Sequence, residues 1–396
     1  MKKLPLLVLI ITIAIDLLGF GIIIPVLPIY ADSLGAPEIV IGMISTSFAA
    51  AQFVFTPFWG GLSDRIGRRP VILISVAIMS VSYIILANAT VIWMIFLARI
   101  VAGIGAANHS VAQAFISDMV KPKKRIKYFG YLGAALGVGF ILGPPLGGFL
   151  KTHYGIEGLG YVAAAISAFN FILAFFLLPE SNKHKNPESK IFRNPIMEIY
   201  RILPHHQIRS ILMVHFVFIL AFSMMQITAS LLWSKEYALN EQEIGAMFAY
   251  VGISTALIQG LFMGKLNILF GERKMFILGN LFMAVGLGTL PFVPQSAFLF
   301  LTIISLTLIA FGHAFVTPTI SSLLSQNATK KEQGKTLGLA QSVGALSRTI
   351  GPSLGGFFYG LVYFMPNVVA GIFMLFSTFL AYQLVKNKMR PQEVSH

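Results

Sequence analysis

No cysteine occurs among the 396 residues, which excludes disulfides, thiolate metal ligands and thiol catalysis. Charge is scarce as well. Asp, Glu, Lys and Arg together make up 11% of the chain, where a soluble domain carries about 25%. A chain so poor in charge, with 56% hydrophobic residues and a mean hydropathy of +0.79, is neither a soluble enzyme, nor a disordered segment, nor a nucleic-acid-binding domain. No Gly-x4-Gly-Lys-Ser/Thr loop is present, so nothing in the chain would cradle ATP phosphates. The net charge of +14 needs no phosphate-bearing partner if the cations are retained on one side of a membrane.

What the chain has is long apolar runs. A helix needs about 20 apolar residues to cross a bilayer, and the runs divide into twelve spans near 5–31, 39–62, 70–88, 91–118, 126–150, 158–179, 208–234, 243–268, 274–291, 297–325, 333–358 and 361–385. They are continuous rather than alternating, which argues against membrane strands. The run after Lys2-Lys3 continues through Tyr30, contains Asp16 and lacks a small-x-small cleavage site, so it reads as the first span rather than a leader. The polar stretch 181–207 reads as a cytoplasmic linker between an N-terminal six-helix bundle (1–180) and a C-terminal one (208–396). It is too short to bury a core of its own.

Most of the 29 Lys and Arg residues fall on one side of this arrangement. They include Lys2, Lys3, Arg65, Arg68, Arg69, the cluster from Lys121 to Lys127, the linker cations, Lys274 and Lys386, whereas Lys151 and Lys235 stand on the other side. Both termini are therefore expected in the cytoplasm, and compact loops suggest a bacterial inner membrane.

The halves resemble each other. Gly143-Pro144-Pro145-Leu146-Gly147-Gly148-Phe149 matches Gly351-Pro352-Ser353-Leu354-Gly355-Gly356-Phe357 at an offset of 208. Gly60-x-Leu62 and Gly67-x-Arg69 match Gly264-x-Leu266 and Gly271-x-Arg273 at an offset of 204. Repeated halves mark secondary transporters, with the substrate site near the bilayer midplane.

Gly61-Leu62-Ser63-Asp64-Arg65-Ile66-Gly67-Arg68-Arg69 resembles the loop signature of the major facilitator superfamily. Gly139 through Gly148 resembles its fifth-helix antiporter signature, and Arg99 in Ala98-Arg99-Ile100 resembles its fourth-helix arginine motif. Asp16 with Pro25-Val26-Leu27-Pro28 is similar to the first helix of drug/proton antiporters, the tetracycline antiporters among them. The resemblance implies an all-α fold of twelve helices in two pseudo-symmetric six-helix bundles. It also implies export of small molecules against protons, and an Asp64 loop that latches onto the N-terminus of the eleventh helix. One departure is plain: Ser82 stands where those antiporters carry an acid in the third helix, and 275–325 has no carboxylate. The resemblance thus supports efflux more than tetracycline as the cargo.

Charges in the hydrocarbon cost about 2.5–3.5 kcal/mol each on insertion scales. Asp16 is the only carboxylate deep in a span; Asp32 and Asp118 stand at span ends. Asp16 and Arg99 both fall near the middle of a core about 30 Å thick, so a pair between them is geometrically possible. As a proton-coupling pair, they would exchange a proton when their surroundings change between two states of the protein; the alternative is a static pair joining two helices. Arg348, with Gln341 on the same helical face, is a candidate contact for an anionic substrate group, or else snorkels. Gln113 shares a helical face with Arg99 and is the better cavity candidate there, with His109 on its flank. His215 and His313 could each relay protons or be neutral and hydrogen-bonded. Met225 and Gln226, with Met224, mark the middle of the seventh span, where Met suits varied ligands.

Gly61, Asp64, Arg65, Gly67, Arg68 and Arg69 form the candidate gating loop, its carboxylate suited to a helix N-terminus. In the second copy Ile268 replaces Asp64. Gly130, Gly133, Gly137, Gly139, Gly143, Gly147 and Gly148, with Pro144 and Pro145, form a small-residue stripe in the fifth span. It reads as a hinge and a tight helix seam.

These residues point to a proton-coupled transporter that exports amphipathic small molecules by alternating access. The alternative is a transporter of the same fold for one specific metabolite, anionic in kind, or a lipid. No cofactor is needed beyond the proton gradient. The expected partners are a small-molecule substrate, protons and the lipid bilayer, without metal or nucleic acid, and a monomer is the expected unit. An enzyme would need a catalytic constellation, and a channel would need neither the latch loop nor the hinge prolines.

Overall fold

The computed structural model describes residues 3–120, 122–182, 206–327 and 333–388, and these are almost entirely helical. Most of the expected linker, 181–207, lies outside the described residues, as do Lys2 and Lys121. In order, the helices are α1 (Lys3–Ile23), α2 (Val26–Ser33), α3 (Glu38–Ile66), α4 (Arg68–Ala87), α5 (Ile92–Ala106), α6 (His109–Met119) and α7 (Pro122–Leu177). Then follow α8 (His206–Tyr237), α9 (Glu241–Leu257), α10 (Met263–Thr289), α11 (Phe298–Asn327), α12 (Gln333–Leu361) and α13 (Met365–Lys388).

Among the described residues nine helical segments are long and apolar enough to cross a membrane. Two of them, of 48 and 52 residues, exceed what one crossing needs. Each contains a glycine with non-helical backbone, Gly155 (φ 67°, ψ −173°) and Gly271 (φ 70°, ψ 155°). With α12 of 29 residues, this is consistent with twelve crossings. Large apolar side chains such as Phe176 and Trp93 stand exposed on the outside, a surface that only lipid would cover.

Two spans read as continuous from sequence are interrupted. The first bends between α1 and α2 at Ile24-Pro25, because proline lacks the N–H and its ring clashes with the preceding turn. The fourth breaks between α5 and α6, where ψ rises to 9° at Ala107 and −6° at Asn108 from the helical value near −42°. Carbonyls at a helix end lose their intrahelical partners. Two are claimed from α3: Gln52 Nε2 donates to the Ala106 carbonyl at 3.0 Å and Trp59 Nε1 to that of Ile104 at 2.7 Å.

The described chain falls into two compact units. One comprises Met1–Pro195 with Ile227–Tyr250, the other Ile196–Gln226 with Val251–His396. The core of the first packs α1, α4, α6 and α7 through Leu9, Ile13, Ile72, Val76, Phe115 and Ala174. In the same unit Lys235, at the end of α8, bridges Asp32 (2.7 Å) and Glu38 (3.2 Å), which explains one of the two cations on the less basic side. The core of the second unit packs Met275 of α10 against Ala310, Ala314 and Phe315 of α11.

The small-residue stripe divides in two. Added side chains at Gly139, Gly143 and Gly147 would run into the backbone of Leu17, Gly21 and Ile22 of α1. At Gly148 one would meet Glu241. Gly130, Gly133 and Gly137 face open space. The helix seam is thus built by the second half of the stripe alone. The second unit repeats it: Gly351 of α12 packs on Leu220 and Ser223 of α8.

Candidate functional site

Asp16 lies in the middle of α1, half-buried, and two neutral carboxamides meet it. Asn108 Nδ2 donates to its Oδ2 at 3.0 Å and Asn170 Nδ2 to its Oδ1 at 3.1 Å. Each amide is held from a second side, Asn108 by Ser75 Oγ (2.8 Å) and Asn170 by the Thr12 carbonyl (2.9 Å). Three helices and a turn build the site: α1 carries the carboxylate, Asn170 comes from α7, Asn108 from the turn between α5 and α6, and Ser75 of α4 holds Asn108. The turn explains why Asn108 reaches Asp16, since helical face arithmetic for 91–118 sets it opposite Arg99 and Gln113 and does not carry across a break. A buried carboxylate without donors would be costly; two N–H groups from residues that cannot ionise meet that need.

Arg99 is not the ion partner of Asp16. It is 6% exposed, with its guanidinium 4.2 Å from the ring centre of Phe48 and 5.9 Å from that of Phe20. The two rings stack on each other at 5.0 Å. An aromatic face attracts a cation more strongly where water is excluded, which gives the buried guanidinium a partner other than a carboxylate. Its Nε has no hydrogen bond among the described residues, and neither does the buried hydroxyl of Tyr83, which presses against Gly19 of α1.

The candidate gating loop is one residue long. Gly67 (φ 114°, ψ 160°) joins α3 to α4, a conformation open to glycine at no steric cost. Asp64 pairs with Arg68 at 2.7 Å, and Arg68 reaches Asp118 at the end of α6 at 3.2 Å. The carboxylate that caps the helix after this loop is Glu180, which sequence reasoning passed over. Its two oxygens accept from the backbone N–H groups of Arg68 (2.9 Å) and Arg69 (3.3 Å), capping α4. Asn182 N donates to it as well, at 2.9 Å. Arg69 donates to the Phe175 carbonyl at 2.6 Å, and Gly61 is buried in the last turns of α3. Glu180→Ala is expected to cost about 1–2 kcal/mol, the loss of a helix cap, and Glu180→Gln less, since an acceptor remains. Thermal unfolding of the purified protein in detergent measures both; an Ala variant that melts with wild type would remove Glu180 from this role.

In the second unit the matching turn has a different chemistry. Gly271 also has positive φ. Glu272 stands where Arg68 does, and accepts from Ser322 Oγ and Gln326 Nε2, both at 2.9 Å. Ser322 occupies the place of Asp118 at the offset of 204. The loop-to-helix tether is present in both halves, ionic in the first and largely neutral in the second.

The remaining candidates are dispersed. Gln113 is half-buried in α6 and His109 opens that helix. Met225 is buried at 2% exposure, Gln226 is half-buried and Gln341 exposed. Arg348 is partly buried on α12, beside His215 of α8. His313 packs its ring on Phe218 and Phe222. Among the described residues no group of three or more His, Asp or Glu could hold a metal ion.

The profile of the Major Facilitator Superfamily matches residues 9–231 and 211–395. The tetracycline resistance protein, class E, of Escherichia coli is 30% identical over 352 residues, which covers 88% of this chain and 86% of that one. Multidrug resistance protein 2 of Bacillus subtilis (strain 168) is 30% identical over 372 residues, covering 92% and 90%. Among solved structures, the human organic anion transporter MFSD10 (TETRAN) superposes with a TM-score of 0.72 at 24% identity over 96% of this chain and 99% of that one, a likeness of fold. Repeated halves, apolar helices, the loop signature and these relatives agree: the chain belongs to the major facilitator superfamily of membrane transporters.

Proposed function

We propose that this transporter exports amphipathic small molecules in exchange for protons, by alternating access, from the cytoplasm of a bacterial cell. The observation that carries the reading is Asp16: a carboxylate in the middle of a membrane span, held by two amides and, among the described residues, by no cation. An ionisable group at that depth is costly and is functional by default. A static structural carboxylate would gain most from a cation beside it, and Arg99 is occupied by aromatic rings instead. A carboxylate bonded only to neutral donors can gain or lose its proton without leaving a buried cation unpaired. The relatives at 30% identity include a tetracycline resistance protein and a multidrug resistance protein, which supports export of drug-like compounds. Both termini and the Asp64 loop belong on the cytoplasmic side by the distribution of Lys and Arg.

Transport in proteoliposomes tests this. A panel of cationic, zwitterionic and anionic amphipathic compounds is loaded and an inside-acid or inside-alkaline pH gradient imposed. The expected result is movement of several unrelated compounds that reverses with the sign of the gradient. Movement unaffected by either gradient would overturn proton coupling, and movement of one compound alone, whatever its charge, would favour a dedicated metabolite carrier.

A further inference from the structure

The second unit contains a cation that none of the described residues neutralises. Arg348 lies well inside α12, and it has no hydrogen bond or ion pair among the described residues. No aspartate follows Asp118 in the chain. The one described carboxylate of this unit, Glu272, is engaged at the Gly271 turn by Ser322 and Gln326. Nor is Arg348 needed to join α12 to α8. That seam is held by other groups: Ser347 Oγ donates to the Phe216 carbonyl at 3.0 Å, His215 Nε2 meets the Ala340 carbonyl at 3.1 Å, and Gly351 packs on Leu220 and Ser223.

The surroundings of Arg348 are built. A Cβ at Gly344 would stand 3.2 Å from His215 Nε2 and 3.5 Å from an Arg348 terminal nitrogen, so the glycine lets an imidazole and a guanidinium share one place. Seven residues along α8 from His215, on the same helical face, is Phe222, half-buried and 5.1 Å from the His313 ring. Gln226 follows one turn later on that face and is also half-buried. The face therefore runs from a cation at one end through an aromatic ring to an amide about 16 Å away at 1.5 Å per residue.

We propose that this stripe of the C-terminal unit binds the substrate, and that the substrate is an amphipathic aromatic anion whose carboxylate is taken by the Arg348 guanidinium while its ring lies along Phe222. A guanidinium presents a planar fork that matches a carboxylate in two hydrogen bonds. His215 acts as a positioning residue, fixing α12 at Ala340. The inference rests on the transporter reading above and adds the charge of the cargo.

Three ligands of one shape and different charge test it: 1-naphthoate, 1-naphthamide and 1-naphthylmethylammonium, by equilibrium binding to the purified full-length protein in detergent. Naphthoate is expected to bind at least tenfold more tightly than the amide, and the ammonium most weakly. Arg348→Gln is expected to lower naphthoate affinity tenfold or more and leave the amide unchanged. Arg348→Lys, which keeps the charge without the fork, should fall between, and it decides the matter if the Gln variant does not fold. Equal binding of all three ligands, no binding of any, or naphthoate affinity untouched in both variants overturns the proposal. Because binding is read without a gradient, the two readings fail separately. Naphthoate bound in this order but never moved by a pH gradient sinks the antiport and leaves the site. Gradient-driven movement of cations with no naphthoate binding does the reverse.

Discussion

Asp16→Asn is expected to reduce pH-gradient-driven transport to the level of protein-free liposomes while the protein stays folded. The substitution keeps size and shape and removes the ionisable group. Asn108 and Asn170 both present Nδ2 to this carboxylate, so an amide at position 16 accepts from one and sets its own N–H against the other. One donor left unsatisfied costs about 1–3 kcal/mol, a strain a packed helical core can absorb. Exchange of substrate across the membrane without a gradient should therefore survive, since no proton need move with it. Asn170→Leu removes one donor and leaves the carboxylate, so it should weaken coupling without abolishing it. The measurements are initial rates with and without an imposed gradient, beside a thermal melt. Concentrative transport by the Asn variant at the wild-type rate would remove Asp16 from the coupling role.

The second large effect concerns packing. Gly143→Ala is expected to lower the melting temperature and the yield of folded protein, whereas Gly137→Ala should be neutral or slightly stabilising. Both positions belong to α7 and both look alike in sequence. A Cβ at Gly143 would stand 2.5 Å from the Gly21 Cα and 2.6 Å from its carbonyl carbon, and backbone cannot turn aside as a side chain can. Overpacking of this kind costs about 1–3 kcal/mol. At Gly137 the new methyl meets nothing within 4 Å, and alanine is the better helix former by about 1 kcal/mol. Size-exclusion profiles of the two variants after heating give the comparison; identical profiles would mean that α1 and α7 are not seamed at Gly143. A hinge reading of Gly143 has to be tested with this in view, because a large residue such as leucine disturbs the seam before it disturbs any motion.

The sequence makes Asp16 legible because a carboxylate in an apolar run stands out by cost. The paired turns at Gly67 and Gly271 were legible because glycine repeats at fixed spacing in both halves. Asn108 and Asn170 were not. Neutral amides barely alter hydropathy, and they lie 92 and 154 residues from Asp16. The break that aims Asn108 falls at Ala107-Asn108, where neither residue is proline or glycine, and Gly105 just before it lies inside α5. Glu180 was obscured by its place at the edge of the polar linker, where a carboxylate looks solvated. The glycine stripe could not be divided into contact and open halves, since that depends on how far α1 runs alongside α7.

The two glycine turns also bear on inheritance. If one duplication produced both halves, the bends at Gly67 and Gly271 have outlasted the charges beside them, because few residues other than glycine can stand there, whereas polar partners can be replaced one at a time. The halves are then no longer spare copies of each other. Transplanting the Gly271-Glu272 turn into the first half would keep the bend but set a glutamate against Asp118, like charge on like charge, where Arg68 now stands.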